Sequence, residues 1–196
     1  MERRLTARGR DRRQQLMDFA AHRFAEGGYH PTSVAEIVQG LGVGKGGFYW
    51  YFASKEELLA EILREAQLDL RRAQRAVIAG EPDPVRRIEM GIRSSIAWLD
   101  ANRHLATLFQ FAATETRFAP VLRASQELTV NDLTQHVKDG IVEGRIQDSD
   151  PAILTQAILG VVGQVTRNLL YAEGTRADDI ADVAVAFCLD GLLGPG

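Results

Sequence analysis

Ser33-Val-Ala-Glu-Ile-Val-Gln-Gly-Leu-Gly-Val-Gly-Lys-Gly-Gly-Phe-Tyr-Trp-Tyr-Phe-Ala-Ser-Lys55 is the stretch whose reading decides the fold. Two short helices are expected in it, Val34 to Gly40 and Lys45 to Tyr51, separated by Leu41-Gly42-Val43. Ser33 and Glu36 have capping-box spacing, and Val34, Ile37, Val38 and Leu41 form one inner face. Gly42 supplies the positive φ a tight turn needs, and Val43 packs inward to fix the angle between the helices. This is helix-turn-helix geometry, which presents the second helix to a DNA major groove.

That second helix is unusual. Gly44, Gly46 and Gly47 stand at or near its start, and a glycine inside a helix costs about 1 kcal/mol relative to alanine. Close approach of the backbone to phosphates explains them; a plain glycine-rich loop is the alternative. Phe48 and Phe52, four apart, face the core, which leaves Tyr49, Trp50 and Tyr51 on other faces. Large exposed aromatics on one short helix call for a partner. A local aromatic cluster packed on the first helix is the competing explanation.

Outward from this segment the pattern stays helical, with no period-2 run. A first helix is expected from about Arg10 to Glu26, with Leu16, Met17, Ala20 and Phe24 on one stripe and Gly27-Gly28 as its stop. Ser54 to Glu57 is a second capping box, opening a long helix striped by Leu58, Leu59, Ile62, Leu63, Ala66 and Leu70. Gly80 to Pro84 is the clearest break, and Asp83-Pro84 caps and starts the next helix, to about Ala101. Further helices are expected from His104 to Glu115, after Pro120 to Gly140 or Gly144, from Pro151 to Ala172, and from Asp178 to Leu193.

The chain has 196 residues, 45% of them hydrophobic, and a net charge of −3. That composition suits a well-packed globular protein. Residues 1–80 hold 13 Lys/Arg against 10 Asp/Glu, whereas residues 81–196 hold 10 against 16. A basic head on an acidic body fits a polyanionic partner for the head. Arg3, Arg4, Arg8, Arg10, Arg12 and Arg13 occupy the place of a secretory hydrophobic region, and no apolar run is long enough to span a bilayer. A cytoplasmic protein is therefore expected. Those arginines either add phosphate or minor-groove contacts or form a solvated tail.

Cys188 is the only cysteine, which excludes an intrachain disulfide and a multi-cysteine zinc site. His22, His30, His104 and His136 are scattered without metal spacing. No GxSxG, P-loop or strand-borne GxGxxG is present, so neither a cofactor nor an enzyme is expected. A pure protein-interaction module remains a rival, but it leaves the glycine and aromatic pattern of residues 44–52 without a purpose.

Over about residues 12–60 the chain resembles the DNA-binding domain of the tetracycline-repressor (TetR) family of bacterial regulators. It departs from the family pattern at Gly44 (usually serine), Gly47 (threonine or serine) and Tyr51 (often histidine). The resemblance implies an all-α protein of about nine helices. A three-helix DNA-binding domain would occupy residues 1–53 and a ligand-binding and dimerisation domain residues 54–196, with a helix at 54–79 connecting them. It also implies a homodimer on a near-palindromic operator of double-stranded DNA, acting as a repressor that a small, largely apolar effector releases; activation is the alternative.

By the same resemblance Ser33, Gly44, Lys45, Gly46, Gly47, Tyr49, Trp50, Tyr51 and Lys55 are the candidate DNA contacts, Lys55 through a phosphate. Candidates for the effector site are Trp98, Phe109, Phe111, Glu115, Phe118, Gln164, Arg167, Asn168 and Tyr171, with His104 nearby; ordinary core packing is their alternative. The helix from Pro151 and the last helix, apolar almost all round at Val183 to Leu189, would form the dimer interface.

Overall fold

The computed structural model describes residues 6–170, 172 and 174–193. Among these it contains nine α-helices, one short 3-10 turn and no strand. Helix α1 spans Ala7–Gly27, earlier than expected, because Thr6 accepts a hydrogen bond from the Gly9 amide at 3.2 Å and caps it. Arg8 to Arg13 are therefore helical, while Arg3 and Arg4 lie outside the described residues. Gly28, at φ +83°, ends the helix.

Helix α2 (Val34–Gly40) and helix α3 (Lys45–Tyr51) fall where the sequence pattern puts them. Helix α4 spans Lys55–Ile78 and α5 spans Pro84–Ala101, the latter capped by Asp83, which accepts from Val85 N at 2.9 Å. Helix α6 (Arg103–Thr114) leads through a 3-10 turn (Thr116–Phe118) into α7 (Ala119–Val142), whose first turn holds Pro120. Asp150 and Pro151 start α8 (Pro151–Leu169), and α9 is Ala177–Leu193.

Two compact units divide the chain. The first comprises residues 1–66 and 103–122, the second residues 67–102 and 123–196. Helix α4 contributes its first half to one and its second half to the other. In the first unit Leu16, Ala20 and Phe24 of α1 meet Ile37, Phe48, Phe52, Leu58, Leu59 and Leu63, joined by Leu108 and Phe118. In the second, Ile88, Ile92 and Ile96 of α5 pack with Val137, Ile158, Ile180, Ala184 and Cys188. Burial pushes the Cys188 thiol up from its ordinary pKa.

Helix α9 is not buried all round within one chain. Val183 and Phe187, one turn apart, are 69% and 67% exposed, and Ile153 and Leu169 of α8 are exposed too. No helix of the described residues is long and apolar enough to cross a membrane.

Candidate functional site

The turn between α2 and α3 is a Schellman motif. Val43 N donates to Val38 O at 2.9 Å and Gly42 N to Gln39 O at 3.1 Å, with Gly42 at φ +62°. Ser33 Oγ accepts from Glu36 N at 3.1 Å, so half of the expected capping box forms. The other half does not, because the Glu36 carboxylate pairs with Arg23 of α1. That guanidinium holds the Glu36 carboxyl below its usual range. The pair ties α2 to α1, and with it the start of the turn.

Helix α3 is anchored on one side only. Phe48 and Phe52 are fully buried in the first core, whereas Lys45, Gly46 and Gly47 are exposed and Tyr49 and Trp50 are 57% and 51% exposed. Tyr51 is half-buried and stands edge-on to Trp50, with ring centroids 4.5 Å apart. Gly44, Gly46 and Gly47 have no positive φ, and a Cβ built on any of them meets nothing within 4 Å. Neither backbone conformation nor internal space requires glycine there. Gly40 differs: its Cβ would lie 2.1 Å from Phe19 Cζ, so it is glycine because α1 packs against it.

The start of α4 is drawn into the same unit. Lys55 Nζ donates to the carbonyls of Tyr29 at 2.8 Å, Thr32 at 2.9 Å and His30 at 3.3 Å, and lies 4.4 Å from the Tyr29 ring centroid. Burial lowers its pKa. Beside it Glu115 bonds His30 at 3.0 Å and Arg117 at 2.7 Å. Burial, then Glu56, pushes the Tyr29 hydroxyl up to about 12. Arg13 reaches Glu61 at 2.5 Å and Glu65 at 2.7 Å, which commits it to holding α1 on α4.

The second unit encloses a cavity of about 320 Å³. Its walls come from α4 (Arg71, Gln74, Arg75, Ile78), α5 (Arg87, Ile88, Gly91, Ile92, Ser95), α7 (Thr129 to His136, without Val130 or Thr134) and α8 (Ile158, Leu159, Val162). Arg71 grips Asp132 with two bonds of 2.7 and 3.0 Å, and Arg75 approaches the same carboxylate at 3.6 Å. Arg87 holds Asp139 at 3.0 Å through one terminal nitrogen. Arg87 Nε and His136 Nδ1 are buried without a hydrogen-bond partner. Burial, then Arg87, lowers the His136 pKa, so the ring is neutral at pH 7. A largely apolar cavity of this size with a few convergent polar groups is what a small-molecule site requires.

Residues 16–62 match the model of the family described as "Bacterial regulatory proteins, tetR family". The chain is 28% identical over 191 residues to the HTH-type transcriptional repressor KstR2 of Rhodococcus jostii RHA1, covering 94% of this chain and 92% of that one. Residues 16–62 are a TetR-family DNA-binding segment. The structure of the ketosteroid regulator KstR2 of Mycobacterium tuberculosis matches this chain with a TM-score of 0.73 at 25% identity, over 94% of this chain and 96% of that one. The fatty acid degradation regulator FadR of Bacillus halodurans shares the fold, with a TM-score of 0.86 at 21% identity over 98% and 100% of the chains. Regulators of this family are DNA-binding transcription factors rather than enzymes; they dimerise and bind small molecules.

The candidate DNA contacts all fall in the first unit, from the start of α2 to the start of α4. Lys55 is the exception in role, since three carbonyls already take up its donors. The effector candidates fare differently, for none of them lines the cavity. Phe109, Phe111 and Phe118 pack in the first core, with Phe111 and Phe118 5.1 and 5.8 Å from Tyr29, and Glu115 is held by His30 and Arg117. His104 stacks on His22 at 4.1 Å. Trp98 is buried, its indole N–H bonded to Asp69 at 2.9 Å. Gln164, Arg167 and Asn168 lie on an exposed face of α8, and Tyr171 is outside the described residues.

Phe109, Phe111 and Phe118 help to fill the first core rather than the cavity wall. The usable signal is positional. Arg71, Gln74, Arg75 and Ile78 follow 0, 3, 4, 7 spacing on α4, and Ile88, Gly91, Ile92 and Ser95 repeat it on α5. Asp132, Gln135 and His136 follow 0, 3, 4 on α7.

Proposed function

We propose that this regulator binds a near-palindromic operator as a homodimer, with α3 in the major groove, and represses transcription until a small, largely apolar molecule enters the cavity. In this reading residues 1–53 bind DNA and residues 54–196 hold the effector and the partner subunit. One observation carries it. Helix α3 turns Tyr49, Trp50, Gly46 and Gly47 outward, its N-cap Gly44 is exposed too, and nothing within the chain requires those glycines. Bare backbone on an exposed helix permits close approach to a surface, and Lys45, Tyr49 and Trp50 supply charge, a hydroxyl and an indole N–H for phosphates and base edges. Ser33 and Tyr51 flank that surface and add phosphate contacts.

Exposed Val183 and Phe187 of α9, with Ile153 and Leu169 of α8, form the apolar face that a second copy covers. Repression follows the activity named for the Rhodococcus relative. Because α4 contributes to both units, it is the element through which cavity and α3 communicate. Effector binding shifts α4 and changes the spacing of the two recognition helices, a coupling of about 1–3 kcal/mol typical of such systems. A cytoplasmic site of action accompanies this role.

The test is selection of operators from random duplex DNA with the full chain, followed by titration of Lys45→Ala and Tyr49→Phe. Recovery of a two-fold symmetric sequence, bound more weakly by both variants, supports the reading. No enrichment at low salt, or unaltered binding by both variants, overturns it.

A further inference from the structure

We propose that the cavity is built for an amphiphile with one negative charge: a carboxylate on an apolar body. The inference rests on reading the cavity as the effector site and adds the chemistry of its occupant. Charge comes first. Arg71 and Asp132 satisfy one another through two short bonds. Arg75 has only the outer edge of that same carboxylate, at 3.6 Å, and Arg87 is balanced by Asp139. Three guanidiniums thus meet two carboxylates, and His136 adds no negative charge to offset the excess.

Hydrogen bonding points the same way. Arg87 Nε is a permanent donor, buried and unbonded. His136 Nδ1, buried and unbonded too but on the α7 side of the cavity, donates in the appropriate tautomer. A group with only acceptors and a negative charge suits donors of this kind and balances the surplus guanidinium, and the planar carboxylate matches the arginine fork. An ammonium ligand would face the wrong sign, a hydrocarbon would leave both nitrogens unpaired, and a neutral oxygen would accept a hydrogen bond without balancing the surplus charge. The remaining wall sets Ile88, Ile92, Ile158, Leu159 and Val162 beside a few uncharged polar side chains such as Ser95 and Asn131, so the rest of the occupant is largely apolar.

Calorimetry on the full-length dimer without DNA separates this inference from the DNA-binding reading. The probes are decanoate and 4-phenylbutyrate, with 1-decanol and 4-phenylbutanol as uncharged counterparts. Expected is saturable binding of at least one acid, about tenfold or more tighter than its alcohol, as a charge-assisted bond warrants. Arg87→Met should erase the preference while leaving alcohol binding. Arg75→Met, at a mostly exposed side chain, should reduce it. Gly91 has open space where its Cβ would stand, so Gly91→Leu should fill the cavity and abolish binding of acid and alcohol alike.

Equal affinity for acid and alcohol, no binding of either acid, or acid binding that survives Gly91→Leu would each overturn the proposal. Acid binding that passes these tests but fails to release operator DNA would leave the ligand class standing and remove the effector reading.

Discussion

Replacing Gly47 by alanine should make this regulator more stable and a poorer DNA binder. Gly47 lies in the first half of α3 with helical φ, and its Cβ would meet nothing within 4 Å. The substitution therefore adds no clash and removes the conformational freedom that glycine loses on folding, a gain of about 0.5–1 kcal/mol. For a chain of this size that raises Tm by roughly 1–4 °C. The same methyl group stands on the exposed face that we propose meets DNA. If backbone and duplex meet there, displacing one contact costs about 1–3 kcal/mol, roughly 5- to 150-fold in Kd. Thermal unfolding and fluorescence anisotropy on one preparation read both quantities. A rise in Tm with unchanged affinity would refute close approach at α3, and a fall in Tm would refute the open space around Gly47.

Gly40→Ala should behave in the opposite way, losing about 1–3 kcal/mol in urea unfolding because the new Cβ collides with the Phe19 ring. Lys55→Met should destabilise the first unit by about 1–3 kcal/mol, since it strips the donor from the Tyr29, His30 and Thr32 carbonyls. The salt dependence of operator binding should keep its slope in that variant, and a slope lowered by one phosphate contact would restore Lys55 to the DNA interface. Val183→Glu with Phe187→Lys should yield monomers in sedimentation, with far-UV circular dichroism unchanged. His104 and His136 have pKa values depressed chiefly by burial. The unfolded chain therefore takes up protons first as pH falls below about 6.5, and stability drops with it. The double variant His104→Gln/His136→Gln should flatten the pH dependence of unfolding free energy between about pH 5 and 7, and an unaltered slope would refute the burial.

Local chemistry made most of the architecture readable from residues alone. Gly28 and Gly42 sit where positive φ is needed, and Asp83-Pro84 and Asp150-Pro151 start helices as their types dictate. Phe48 and Phe52 face inward because residues four apart share a helix face. What escaped depends on contacts between distant segments. The carbonyls that hold Lys55 are brought to it by the α1–α2 connection, more than twenty residues away. The cavity draws on four helices, and its identity lies in polar atoms left without partners, which no single helix reveals. Glu36 likewise serves Arg23 rather than its own helix start.

Methylation interference with dimethyl sulfate on the selected operator tests the placement of α3 most directly, because the reagent marks guanine N7 in the major groove and adenine N3 in the minor groove. The expected result is two symmetric clusters of interfering guanines, centred about one helical turn or a multiple apart. Interference at adenine N3 alone, or at no base in either groove, would contradict a regulator that reads DNA through Lys45 to Tyr51.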